Sequence, residues 1–229
     1  MSAPAASQAP VDFKARESYD RSQPGFATYR RRIANPSPLG LFAFALTTWS
    51  VSLYAVQTRH VKVANLSLAL ALALGGLTQL LAAMWEFVTG NTYAVTMFGM
   101  LSGFYLSAGT IFWAGSGIED AYEGTGSWTD ALGIYFSAWF IFSIIMLVAS
   151  VRASVTMTTL WSSIVMTIML AMISAFVEEV KVQKAAGAFG ILTSAVAAWA
   201  GAAGIWTKDH AYVLFYYLLW THSLTTLTF

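Results

Sequence analysis

The sequence contains no cysteine. That excludes disulfides, thiolate metal sites and cysteine nucleophiles, and it leaves the redox compartment open. Charge is scarce too. Asp, Glu, Lys and Arg make up 10% of the 229 residues, against roughly 25% in a soluble domain. Such a chain lacks the polar side chains to cover a water-facing surface. Its net charge of +1 offers no broad basic face to a nucleic acid. The histidines (His60, His210 and His222) share no ligand spacing with a third group, so no metal site is read. No Ser/His/Asp set, phosphate-binding loop or GxGxxG is found. Neither an enzyme nor a cofactor is expected. Proline is sparse: three of five fall within the first 34 residues and the other two within one motif.

What is present is apolar. Hydrophobic residues make up 57% and aromatics 15%, with a mean hydropathy of +0.62. A helix needs about 20 apolar residues to cross the hydrocarbon core. Six stretches qualify: Leu39–Val56, Val63–Val88, Tyr93–Ala114, Ala131–Val151, Val155–Val177 and Ala185–Trp206. The fold class is therefore an all-α integral membrane protein built as a six-helix bundle, residues 35–206. Residues 1–34 hold Pro, Ser, Ala and mixed charge with no apolar core. They are read as a disordered cytoplasmic tail, not a signal peptide. The tail ends in Arg30-Arg31-Arg32, an anchor for lipid headgroups. Residues 207–229 are aromatic and apolar; an interfacial helix or a seventh span would both suit them.

Orientation follows from Lys and Arg. With the N-terminus inside, eight lie on the cytoplasmic side (six in the tail, Arg152 and Lys208). Four lie outside: Arg59, Lys62, Lys181 and Lys184. The positive-inside rule puts both termini in the cytoplasm, and the plasma membrane is the expected location.

The stretch Asn35-Pro36-Ser37-Pro38-Leu39-Gly40-Leu41 opens the first span. Two prolines beside Asn and Gly are not expected to continue a regular helix. Irregular backbone at membrane depth is tolerated only inside protein or along a watery cavity. The stretch is thus read as the entrance to a small-solute pathway. Gln79 and Glu86 lie seven apart on one face of the second span. A mid-bilayer carboxylate costs on the order of 3 kcal/mol. Glu86 is read either as held by the amides of the Gly90-Asn91-Thr92 turn or as a proton-responsive group near the inner mouth. The Gln79 amide either meets a carboxylate solute or bridges two helices. Asn35 and Asn91 sit at helix starts, where they cap or where free N–H groups would suit an anion. Thr47, Thr48, Thr96 and Ser102 either line the path or bond their own helices. Small-residue stripes (Ala186, Gly190, Ser194, Ala198, Ala202; and Gly99, Gly103, Ser107) mark close helix contacts, within one bundle or between protomers.

The run Asn35-Pro36-Ser37-Pro38-Leu39-Gly40-Leu41-Phe42-Ala43-Phe44 resembles the signature of the acetate uptake transporters, the YaaH-type permeases with fungal acetate and ammonia-export relatives. That signature reads N-P-[AV]-P-[LF]-G-L-x-[GSA]-F, and Ser37 is the one departure. The likeness continues through Gly75-Gly76-x-x-Gln79, Glu86, Gly90-Asn91-Thr92, Gly133-Ile134-Tyr135, Trp139 and Ala185-Ala186-Gly187-x-x-Gly190. The resemblance implies six-helix protomers in a ring-shaped homo-oligomer, hexameric in this family, with a pore in each. It implies passage of acetate and similar short monocarboxylates together with protons. It also implies an apolar constriction containing Phe44. A second member falls on Leu101, where the family has Tyr, and the third on Ile164. The expected pathway residues are thus Asn35, Pro36, Pro38, Gly40, Phe44, Thr47, Gln79, Asn91, Thr96, Leu101 and Ile164. Glu86 is the candidate proton-responsive group. The alternatives are a channel for ammonia, ammonium or another small neutral solute, and a membrane nutrient sensor. Aquaporins, similar in having Asn-Pro at a helix start, carry that motif twice; this chain has it once.

Overall fold

A computed structural model describes residues 33–206; the expectations for the tail and for residues 207–229 lie outside the described residues. The chain divides between Ala34 and Asn35, and every element described here lies in the second unit. Six helices are long and apolar enough to cross a membrane: α1 (Ser37–Ala55), α2 (Ser67–Thr89), α3 (Thr92–Ile111), α4 (Trp128–Ser150), α5 (Val155–Val177) and α6 (Val180–Ile205). The described residues form an all-helical membrane protein.

The boundaries have local causes. The Asn35 stretch does not break the helix as expected; it starts it. Pro36 is already helical (φ −82°, ψ −17°), and Pro38 lies in the first turn, where a missing N–H costs nothing. At the foot of α2, Gly90 takes φ +77°, a left-handed C-terminal stop. The Asn91 side chain then caps α3, accepting from the Ala94 N–H at 3.2 Å. Ser154 caps α5 in the same way through the Met157 N–H, 3.1 Å. α6 begins five residues before the expected Ala185. A left-handed Glu178 (φ 54°) reverses the chain so sharply that the charged first turn of α6 follows at once.

One irregularity was not foreseen. Inside α2, Ala71–Thr78 is wound as a π-helix. Its wider turn leaves carbonyls poorly served, and hydroxyls serve them. Thr78 donates to the Ala73 carbonyl (3.0 Å) and Ser102 on α3 to that of Gly76 (2.9 Å). Close approach also demands the two glycines. A Cβ at Gly75 would lie 2.5 Å from the Tyr105 ring, and one at Gly76 2.5 Å from Leu106. Such π-segments recur at functional sites.

The helices pack in the order α3–α2–α1–α6–α5–α4. α3 and α4 then meet through side chains: Phe104 stacks on Tyr135 (6.2 Å) and edges Trp139 (5.1 Å), and the Ser107 and Tyr135 hydroxyls lie 2.7 Å apart. The α6 stripe serves contacts within this bundle. A Cβ at Gly190 would meet the Ser52 side chain on α1; beside the stripe, one at Gly187 would come within 2.9 Å of the Ser52 carbonyl and one at Gly204 within 2.7 Å of Pro38. The α3 stripe behaves differently, since Gly103 is exposed with nothing within 4 Å of its would-be Cβ. Large apolar side chains such as Trp85, Phe87, Ile141, Ile145 and Val148 cover the outside of the bundle.

Candidate functional site

The bundle encloses a cavity of about 550 Å³ walled by all six helices. Its mouth is polar, with Gln57, Lys62, Asn65, Glu119 and Gln183 around it. Those residues lie at the end of the bundle where α1 finishes. The lining reaches its deepest points on α1, α3 and α5 at Phe44, Leu101 and Ile164. These side chains come from α1, α3 and α5 and are 5%, 8% and 4% exposed. They carry no hydrogen-bonding group, so the floor is dry.

Above the floor the wall is aromatic and hydroxylic. Tyr105 and Thr48 touch through their hydroxyls at 2.6 Å. The Phe44 ring lies 6.2 Å from that of Tyr105. Across the cavity, Thr167 on α5 faces Thr193 on α6, 3.3 Å apart. Phe104, Trp139 and Phe142 complete the wall.

Below the floor, towards Asn35, the bundle is filled. Phe98, Leu160, Trp161, Gln79 and Glu86 are all at most 1% exposed. In this half both side-chain polar atoms of Gln79 have no partner within the protein, while the Tyr93 hydroxyl and the Trp161 indole nitrogen face one another. A buried polar atom left unpaired costs about 1–3 kcal/mol.

The residues expected along the pathway therefore separate into two groups. Phe44, Leu101 and Ile164 come together at the cavity floor, from three helices far apart in sequence. The others are not on the cavity wall. Asn35 is exposed and accepts from the Ser37 N–H at 3.1 Å, so its oxygen stabilises the helix start. Pro36 and Pro38 are buried, and Pro38 packs on α6. Gly40 makes room for the Phe98 ring, which would lie 2.5 Å from a Cβ there. The Asn/Pro stretch is thus a tight helix start, and none of its residues lines this cavity.

Thr47 is fully buried against α2, donating to Ala43 (2.8 Å) and within 3.3 Å of the Leu70 carbonyl, with no face to the cavity. Thr96 is exposed on the outside of α3 and bonds the Thr92 carbonyl, 2.9 Å. Asn91 is occupied as a cap. Gln79 lies below the floor, one turn beyond Gly76, and it bridges no helices, because its amide bonds nothing. Glu86 is held by a hydroxyl where turn amides were expected: Ser37 donates to Oε1, while Thr89, 3.2 Å from Oε2, has the Glu86 carbonyl oxygen nearer at 2.9 Å. Residue 37 is the one place where the signature is broken, and that departure supplies the hydroxyl.

Sequence reasoning missed Tyr105 and its bond to Thr48. A usable signal existed: Tyr105 is four residues beyond Leu101, hence on the same face of α3. Among the described residues no cluster of His, Asp or Glu could hold a metal ion.

The profile of the GPR1/FUN34/yaaH family matches residues 19–220. The meiotically up-regulated gene 86 protein of Schizosaccharomyces pombe is 39% identical over 78% of this chain and 60% of its own length. Ammonia transport outward protein 2 of Saccharomyces cerevisiae is 34% identical over 80% and 65%. Acetate permease A of Emericella nidulans is 34% identical over 84% and 69%. The chain thus spans 60 to 65% of the length of the first curated relatives it matches. In fold it matches the bacterial acetate channel SatP with a TM-score of 0.71 at 23% identity, covering 80% of this chain and 98% of that one.

Proposed function

This chain belongs to the GPR1/FUN34/yaaH family, and on that premise we propose that it passes acetate and similar short monocarboxylates through its own bundle, linked to protons. The observation that carries the reading is the 550 Å³ cavity within one bundle, polar at its mouth and closed by Phe44, Leu101 and Ile164. A charged carboxylate loses its hydration at a dry neck, while the neutral acid loses far less. A carboxylic acid titrates near pH ~4–5, so an acidic medium at the mouth favours passage. Relatives named as an acetate permease and acetate transporters support this cargo.

The cavity is open at one end and the bundle filled at the other, so passage requires rearrangement of the half containing Gln79, Tyr93 and Trp161. The unpartnered Gln79 amide would then find water or solute. By the count of Lys and Arg the filled end faces the cytoplasm. The apolar outside suits lipid and a ring of protomers alike. The second reading is export of ammonia, favoured by relatives named for outward ammonia transport.

Flux of labelled acetate into proteoliposomes is the test. With total acetate constant, lowering the pH from 7 to 5 raises the neutral acid by roughly 70-fold. Protein-dependent uptake should follow it. Phe44→Ala should admit longer acids that the parent excludes. Uptake equal to that of protein-free liposomes, or labelled methylammonium flux without acetate flux, would overturn the reading.

A further inference from the structure

The hydroxyl pair above the cavity floor has a fixed polarity. Thr48 Oγ1 carries one proton. It lies 2.7 Å from the Phe44 carbonyl oxygen, which can only accept, so the threonine proton is committed there. With the threonine proton so placed, the 2.6 Å contact between Thr48 and Tyr105 uses the tyrosine proton. Tyr105 donates to Thr48, and its oxygen keeps only acceptor capacity.

The tyrosine ring is wedged. Gly75 lies against one side, close enough that a Cβ there would meet the ring at 2.5 Å. The rings of Phe44 and Phe104 flank it at 6.2 and 5.2 Å. Thr48 follows Phe44 by four residues and Tyr105 follows Leu101 by four. The pair therefore stands about one helical turn, ~5.4 Å, above two members of the dry floor. The opposite wall has the same sign. Thr167 and Thr193 direct their protons to carbonyls of their own helices, 2.8 Å each, and Ser143 does so at 2.7 Å.

A solute reaching the floor thus meets oxygens that accept. A neutral carboxylic acid offers an O–H to such an oxygen; a carboxylate offers only further acceptors. Resting on the acetate reading above, we propose that the Tyr105–Thr48 pair is the specificity-determining site that selects the undissociated acid over its anion. Besides Tyr105 itself, the titratable or charged groups on the cavity wall are Tyr54, Lys62 and Glu119, and these stand at the mouth. The faces of α1, α2, α4, α5 and α6 that line the cavity around the pair carry no charge. Glu86 lies on the other side of the floor. The selection is therefore made by hydrogen-bond polarity.

The test holds undissociated acetic acid constant while pH, and with it the anion, rises from 5 to 7 on both sides of the liposome. Protein-free liposomes supply the background. The parent rate should stay constant, because the anion does not compete. Thr48→Val removes the acceptor for the tyrosine proton with little change of shape. Tyr105 then turns its O–H into the cavity, and the rate at pH 7 should exceed that at pH 5 about fivefold or more, the worth of one hydrogen bond. Tyr105→Phe deletes the oxygen; the acid rate should fall about fivefold at both pH values with no gain for the anion. A parent rate that follows the anion overturns the proposal. So does a Thr48→Val profile identical to the parent's, or an unchanged Tyr105→Phe rate if Thr48→Val fails to reconstitute. A parent indistinguishable from protein-free liposomes removes the acetate reading and this proposal together.

Discussion

Ser37→Ala isolates one contact. The Ser37 hydroxyl donates to Oε1 of Glu86, a carboxyl only 1% exposed, and joins the first turn of α1 to the last of α2. The other carboxyl oxygen has Thr89 at 3.2 Å, which the substitution leaves in place. Alanine suits the position, because the family signature accepts it there and the first-turn backbone bonds run from Leu39 and Gly40 to Pro36. The change should therefore remove the hydroxyl and nothing else. A hydrogen bond between neutral groups contributes about 1 kcal/mol, and one to a charged group about 1.5–3 kcal/mol. The folded-to-unfolded ratio should fall about fivefold in the first case and by about 10- to 150-fold in the second. The assay is unfolding in mixed detergent–SDS micelles, followed by tryptophan fluorescence, on Ser37→Ala, Glu86→Leu and the double variant. Additivity would sink the reasoning: a coupling energy below about 0.5 kcal/mol means the contact does not hold the two helix ends together.

Gly187→Ala should destabilise the bundle by about 1–3 kcal/mol, since its Cβ would meet the Ser52 carbonyl at 2.9 Å and Val56 at 2.8 Å. Gly103→Ala, with nothing within 4 Å, should cost nothing in the same unfolding assay; equal losses at both would refute the steric argument. Gln79→Leu should stabilise by about 1–3 kcal/mol, because it removes a buried amide that bonds nothing, while slowing acetate flux. A stability loss there would mean the amide is satisfied after all.

Much of the architecture is written in local chemistry. Hydropathy over about 20 residues marks each crossing whatever its neighbours do, so six helices were legible and Val155–Val177 agreed to the residue. The Gly90-Asn91 turn was legible too, because left-handed φ and capping are decided within a few residues. Phe44, Leu101 and Ile164 were placed in one ring by resemblance; no spacing could have joined three helices.

Other features lie beyond local pattern. The Asn/Pro stretch looked like a break, yet prolines in a first turn cost nothing, and the close seat of Pro38 against Gly204 exists only once α6 returns to α1. Asn91, Thr47 and Thr96 carry groups that suit a solute, but each is taken by backbone near at hand. The π-turn in α2 appears where Tyr105 presses on Gly75, a contact 30 residues away in sequence. The polarity of Tyr105 depends on which oxygen Thr48 already serves. A hydroxyl can donate its single proton once, and only the assembled helices establish to whom.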